Sequence, residues 1–308
     1  MKTIKVKVPA TTANLGPGFD VLGASLSLYN ELEISFAVDP KKAKFIVEGE
    51  GRKILPRDEK NILWKAMDAV FGLLDKREKY NLKNFNIKLT NNIPLSSGLG
   101  SSSAARAAGI IAANRICGNK LTNGEMAQLG VKLEGHPDNI IPAFYGGVCV
   151  SINRGDGDIE VIKLPIPKIQ AVVCTPGFEL LTERSRNILP AKYERKDVVF
   201  NLARISLLTK AFCDNDFKLL KEAMQDKLHQ PYRAKLIPVM NELISVAEEN
   251  GAYGACLSGS GPSMIAFCNK NKAREVAKCM AKIWKKETVP TKIFILDFDR
   301  TGAIMNEN

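Results

Sequence analysis

A chain of 308 residues allows one large domain or two of ordinary size, either with a core adequate for an enzyme. Its 45% hydrophobic and 25% charged residues are those of an average soluble protein; no apolar run approaches the roughly 20 residues of a membrane span, and the opening segment lacks the apolar core of a secretion signal, which together predict a cytoplasmic protein. The formal charge of +11 raises nucleic acid as a partner, but the lysines and arginines are dispersed rather than gathered on one helix, so an anionic small molecule is served equally well.

In chain order, strands are predicted near 3–8, 31–38 and 44–48. Between the first two lies Pro9-Ala10-Thr11-Thr12-Ala13-Asn14-Leu15-Gly16-Pro17-Gly18-Phe19-Asp20, which on its own fits a glycine-bearing turn. Ile62, Leu63, Ala66, Met67, Val70, Leu73 and Leu74 form one amphipathic stripe, with Asn61 at the N-cap position. Phe85, Ile87 and Leu89 alternate with Asn86 and Lys88, the period-two pattern of a half-buried strand over 85–90.

That strand leads into Ile93-Pro94-Leu95-Ser96-Ser97-Gly98-Leu99-Gly100-Ser101-Ser102-Ser103-Ala104-Ala105. Ala104, Ala107, Ala108, Ile111 and Ala112 then recur at helical spacing, so the glycines and serines sit at a helix N-terminus. Free N–H groups and the positive end of the helix dipole favour a polyanion there. Glycine permits positive φ and close backbone approach, and serine hydroxyls can bind phosphate or a metal. The loop lacks the Gly-Lys-Ser/Thr ending of a P-loop, and a glycine turn with a serine cap fits the bare pattern equally.

Further along, Thr122 and Glu125 form a capping box. Strands follow near 146–152, 169–174, 253–257, 263–268 and 291–298, with a helix from Pro238 in its first turn to Asn250. The turn residues Asn153-Arg154-Gly155-Asp156-Gly157-Asp158 mark the clearest break, so the domains are predicted as 1–155 and 156–308 in an α+β chain. Leu257-Ser258-Gly259-Ser260-Gly261-Pro262 is a third glycine motif. Lys282, Lys285 and Lys286 near Trp284 read as a solvated helix face. The seven cysteines are scattered singly without a C-x-x-C and read as reduced core residues.

The three glycine motifs, in this order and spacing, resemble the GHMP kinase superfamily. Within it the chain resembles the homoserine kinase family most closely. That resemblance is carried by Asn14 to Asp20, Glu134-Gly135-His136-Pro137-Asp138-Asn139-Ile140-Ile141-Pro142-Ala143, Thr182-Glu183-Arg184-Ser185-Arg186 and His229-Gln230-Pro231-Tyr232-Arg233, and it spans essentially the full chain. It implies a two-domain fold, with an N-terminal domain like ribosomal protein S5 domain 2 and a C-terminal ferredoxin-like domain, and the site in the cleft between them. It implies ATP-dependent phosphorylation of the L-homoserine hydroxyl to O-phospho-L-homoserine on the route to threonine. Mg2+ accompanies the ATP, and neither nucleic acid nor membrane is a partner; homodimerisation stays open.

Residue by residue, the resemblance places the phosphates on Pro94 through Ser103 and the base or ribose near Asn61. Magnesium falls to Ser101 and Glu134, with the choice among the three adjacent serines left open. Arg186 and Arg233 suit the acceptor's carboxylate, because guanidinium forks pair bidentately with carboxylates. Asp20 and Asp138 suit its ammonium or hydroxyl, beside Asn14 and His136, and Thr182, Asn139 and Gly259 complete the implied acceptor site. Asn139, Asp138 and Arg186 are the catalytic candidates. An asparagine cannot take the hydroxyl proton, which favours orientation and electrostatics, while Asp20 or Asp138 as a base remains an alternative. Competing readings are a GHMP kinase for mevalonate-type or sugar acceptors and a nucleic-acid-binding protein.

Overall fold

The computed structural model describes residues 3–155 and 158–307. The alternation at the start of the chain yields β1 (Ile4–Ala13), with Ile4, Val6 and Val8 buried and Lys5 and Lys7 exposed. It continues five residues past the expected end because its whole length pairs antiparallel with β2 (Leu22–Phe36). β2 is also far longer than the expected 31–38. Its first five residues, Leu22 to Leu26, are buried on both faces, so the sequence there shows no alternation to read.

The length of β2 lets it serve two neighbours. Its far half pairs with β4 (Phe85–Asn91), which carries β3 (Phe45–Gly49) in parallel, and its near half pairs with β5 (Val148–Asn153). β6 (Ile159–Leu164) and β11 (Ile304–Glu307), which the sequence pattern does not announce, add to β5 and β1 to complete a seven-stranded sheet. The expected domain division falls at Asp156, outside the described residues; on either side of it β5 and β6 pair from Val148 with Leu164 to Asn153 with Ile159.

Helices α2 (Ser101–Ile116) and α4 (Pro137–Tyr145) pack on this sheet, α1 (Ile62–Leu73) packs on α2 and sets Trp64 and Phe71 against Phe85 of β4, and α3 (Asn123–Glu134) packs on α2 and α4. Asn61 caps α1, its Oδ1 accepting from Leu63 N at 2.9 Å, and Thr122 and Glu125 form the expected capping box. Gly109 of α2 lets α1 approach closely: a Cβ there would lie 2.5 Å from the Leu63 carbonyl oxygen.

The second sheet is antiparallel, ordered β10 (Thr291–Leu296), β7 (Gln170–Pro176), β9 (Met264–Cys268), β8 (Ala252–Leu257). With α9 (Met240–Glu249) before β8 and α10 (Ala273–Lys286) after β9, it has the ferredoxin-like βαββαβ connectivity. Pro238 precedes α9, which starts at Met240 after a turn, rather than occupying its first turn. Between β7 and α9 the chain inserts α5 (Thr182–Asn187), α6 (Arg195–Asp214), α7 (Leu220–Ala223) and α8 (Gln230–Arg233). Lys282, Lys285 and Lys286 face solvent while Ile283 and Trp284 are buried. Cys149, Cys174, Cys256 and Cys268 are core residues, but Cys213 is exposed on α6. No helix among the described residues is long and apolar enough to cross a membrane.

Candidate active site

After β4 the chain passes through three left-handed conformations, Ser96 (φ 47), Gly98 (φ 80) and Gly100 (φ 67), and enters α2. Gly100 is the N-cap and offers no side chain, so the N–H groups of Ser101, Ser102 and Ser103 have no intrahelical acceptor. These residues line a cleft of about 250 Å3. A Cβ on Gly98 would lie 2.1 Å from the Ser258 carbonyl oxygen, and one on Gly100 would lie 2.0 Å from Thr11 Oγ1. The third glycine motif braces the loop from the second sheet. The Ser258 hydroxyl sits between the Gly98 carbonyl (2.7 Å) and the Thr12 hydroxyl (2.9 Å), and Ser263 N donates to Ser97 O at 3.0 Å.

α5 and α8 bring two arginines into the same cleft. Arg186 grips Asp20 with both arms, Nη1 to Oδ2 at 3.0 Å and Nη2 to Oδ1 at 2.6 Å, and these hydrogen bonds raise its already high pKa. Arg233 is buried, donating from Nε to Ser185 O (3.2 Å) and from Nη1 to Gly259 O (3.0 Å) and His229 Nδ1 (3.1 Å). Burial, and then repulsion from Arg186, push it down to about 10, so it stays charged at neutral pH. Both guanidinium carbons lie over the Phe19 ring, at 5.7 Å for Arg186 and 5.4 Å for Arg233.

His229 has a fixed protonation state. Its Nε2 is 2.7 Å from the Gly16 carbonyl, which can only accept, while Nδ1 accepts from Arg233; the ring is therefore neutral, with its proton on Nε2. Complete burial accordingly lowers its pKa. Asn14, at φ 69, donates from Nδ2 to Gly259 O at 2.9 Å and accepts from Asp20 N at 3.1 Å, joining the first motif to the third.

The first turn of α4 forms the floor. His136 Nδ1 meets Asp138 Oδ1 at 2.7 Å. Burial opposes charge on the imidazole, but the Asp138 hydrogen bond and the charges of Asp138 and Glu134 outweigh it and hold the pKa above its ordinary value. Asn139 Oδ1 accepts from the Thr11 hydroxyl at 2.8 Å. At the end of α3, Glu134 accepts from Ser103 Oγ (3.0 Å) and Arg106 Nη1 (2.6 Å), and Arg106 also reaches Ser102 Oγ. Among the described residues no three His, Cys, Asp or Glu side chains cluster as a metal cage. A single carboxylate among serine hydroxyls is nonetheless a hard-oxygen donor set of the kind that holds magnesium beside nucleotide phosphates.

The cleft thus gathers Asn14, Ser96, Ser97, Gly98, Gly100 to Ser103, Glu134, His136, Asp138, Asn139, Thr182, Arg186, Arg233 and Gly259. Asp20 does not line the cleft; its partly exposed carboxylate is held by Arg186 at the cleft's edge. Asn61 spends its amide on capping α1 and on the Pro56 carbonyl at 2.6 Å, and its neighbour Ile62 lines the cleft instead. Pro94, Leu95 and Leu99 do not line it: Leu99 is core, and the Pro94 carbonyl accepts from Ser97 Oγ at 2.8 Å. Sequence reasoning missed Thr11, Phe19, Arg106, His229 and Ser258. Thr11, Phe19, His229 and Ser258 lie inside the quoted motifs, but nothing in their spacing signals the contacts they make.

A glycine–serine loop at a helix start, braced by a ferredoxin-like sheet and sharing its cleft with two arginines, is the arrangement of a GHMP-type kinase fold. Residues 61–147 match the GHMP kinases N terminal domain and residues 208–286 the GHMP kinases C terminal domain. The homoserine kinase of Carboxydothermus hydrogenoformans is 42% identical, covering 97% of this chain and 95% of that protein, and that of Desulfitobacterium hafniense is 39% identical over 97% and 99%. The crystal structure of homoserine kinase from Cytophaga hutchinsonii superposes with a TM-score of 0.86 at 29% identity, covering 99% of this chain and 97% of that one. The chain belongs to the homoserine kinase family of GHMP kinases.

Proposed function

We propose that the protein transfers the γ-phosphoryl group of ATP to the side-chain hydroxyl of L-homoserine, giving O-phospho-L-homoserine and ADP in threonine biosynthesis. The observation that carries the choice of acceptor is the pair of guanidinium groups over Phe19, with the Asp20 carboxylate attached to one of them, in the cleft that the glycine–serine loop also lines. A zwitterionic amino acid offers a carboxylate to the arginines and an ammonium to Asp20 or Asp138, leaving its hydroxyl to face the loop.

In this reading the N–H groups of Ser101 to Ser103 bind the nucleotide's phosphates at the α2 N-terminus. Arg233, immobilised by His229, Gly259 and Ser185, holds the acceptor carboxylate, and Arg186 bridges that carboxylate and Asp20. Asn139 and Asp138 orient the hydroxyl. Its oxygen forms a bond to the γ-phosphorus as the bond from phosphorus to the β–γ bridging oxygen breaks, and the hydroxyl proton leaves to a phosphate oxygen or to solvent. Because the transition state is largely dissociative, positioning and charge stabilisation suffice without a strong base. Glu134 with Ser101 or Ser103 would hold magnesium, which when bound neutralises charge on the β- and γ-phosphates.

Phosphorus NMR of a reaction containing Mg-ATP and L-homoserine tests this reading. A new phosphomonoester resonance growing in step with ADP is expected; ADP without a phosphorylated acceptor, or no change, overturns it.

A further inference from the structure

Three segments distant in sequence meet at one point beside the cleft. Thr11 of β1 is fully buried, and its hydroxyl donates to Asn139 Oδ1 at 2.8 Å. Its backbone N–H donates to the Leu99 carbonyl at 3.1 Å, which fixes the strand against the phosphate loop. The next residue, Gly100, approaches so closely that a Cβ there would lie 2.0 Å from Thr11 Oγ1 and 3.3 Å from Asn139 Oδ1. The α4 backbone is held just as tightly. A Cβ on Gly23 of β2 would lie 1.7 Å from the Asp138 carbonyl oxygen, and Ser25 Oγ donates to Pro142 O at 2.6 Å. With Thr11 and the α4 backbone both tightly packed, this hydrogen bond holds the Asn139 carboxamide against β1 with Oδ1 toward Thr11, and an anion in the cleft favours that same orientation.

That orientation decides what the cleft presents to an anion. A carboxamide has a donor end and an acceptor end. With the Thr11 hydroxyl bound to Oδ1, the Nδ2 N–H groups are left for the cleft. In the reverse orientation a carbonyl oxygen would face the phosphates, and their interaction would be repulsive. We propose that Thr11 is the positioning residue for Asn139, holding its carboxamide so that the N–H end stabilises charge on the phosphoryl group in transit. This rests on the kinase reading above and adds to it the reason why an asparagine serves there. Donors aimed in advance at developing charge act without reorganisation, whereas an amide released from its anchor both rotates and drifts from the reacting group, and a misplacement of about 1 Å can cost on the order of 100-fold in rate.

The test is a double-mutant cycle read as kcat and KM for both substrates, with melting temperature as the check on folding. Removing one preorganised donor lowers kcat by about 100-fold or more, so Asn139→Ala sets the ceiling. Thr11→Val, which is nearly isosteric, is expected to lower kcat by about 30-fold with both KM values within about threefold of wild type. Thr11→Ser restores the hydroxyl and is expected to recover most of the loss. Because Thr11 acts through Asn139, the double variant is expected to be no slower than Asn139→Ala alone. Multiplied single effects in the double variant, or Thr11→Ser as slow as Thr11→Val, overturn the proposal while leaving the kinase reading intact. Full activity of Asn139→Ala overturns both the proposal and the placement of Asn139 at the reacting group. A Thr11→Val protein that melts much lower with unchanged kcat shows a packing role only and also overturns it.

Discussion

Replacing Arg233 with alanine is expected to separate acceptor binding from nucleotide binding. The side chain is 1% exposed and lies beside the cleft, and its Nε and Nη1 are engaged by Ser185 O, His229 Nδ1 and Gly259 O. Losing a buried charge that pairs with a substrate carboxylate costs about 3 kcal/mol, which at 1.4 kcal/mol per tenfold raises KM for homoserine by roughly 150-fold. The variant also strands His229 Nδ1 and the Ser185 carbonyl, at about 1–3 kcal/mol each until water fills the space. Arg233→Lys therefore accompanies it: it keeps a point charge but loses the fork, and is expected to raise the same KM by about tenfold. Steady-state kinetics, varying homoserine at saturating Mg-ATP and then the reverse, read the result. KM for ATP is expected within about threefold of wild type for both variants. Equal rises in both KM values, or an unchanged homoserine KM in Arg233→Ala, would refute the carboxylate assignment.

Gly98→Ala is expected to raise KM for ATP at least tenfold and to destabilise by about 1–2 kcal/mol, because φ is 80° and its Cβ would meet the Ser258 carbonyl at 2.1 Å; kinetics and thermal melting check both. For His229, burial lowers the folded pKa below 6.5 despite Asp226 and Asp20 nearby, with Arg233 adding to the effect. Below pH 6.5 the unfolded chain then binds a proton that the folded one refuses, so wild-type stability falls on acidification, and His229→Gln removes that component. Melting curves from pH 7 to 5 that fall equally for both proteins would contradict the neutral ring. Glu134→Gln is expected to lower kcat by about 100-fold and to shift the magnesium requirement upward, read by titrating Mg2+ at fixed ATP; an unchanged titration would remove Glu134 from the metal site.

Where the fold was legible, local periodicity coincided with tertiary need. β4 alternates because one face is core and the other is not, and the α1 cap and the 122–125 capping box are local chemistry. Where a segment is buried on both faces, as at the start of β2, alternation disappears, and only the half of that strand from residue 31 on was expected. β11 was missed for another reason: it is short and mostly exposed, and only pairing with β1 makes it a strand. The site follows the same division. The glycine–serine loop is contiguous, and its place at a helix start could be read from its glycines and serines and the alanine spacing that follows. The Thr11–Asn139 bond joins residues 128 apart, and His229 reaches Gly16 across 213, so the ordering of Asn139 and Arg233 exists only in the folded chain.

The central claim is that this cleft reads a zwitterion. The most direct test compares kcat/KM for L-homoserine with 3-aminopropan-1-ol, which lacks the carboxylate, and 4-hydroxybutanoate, which lacks the ammonium, by ADP release under saturating Mg-ATP. A loss of about three orders of magnitude is expected without the carboxylate, because the charge-assisted hydrogen bonds it adds to Arg233 and to the free N–H groups of Arg186 are then missing, and a smaller loss without the ammonium. Comparable turnover of L-homoserine and 3-aminopropan-1-ol would contradict it.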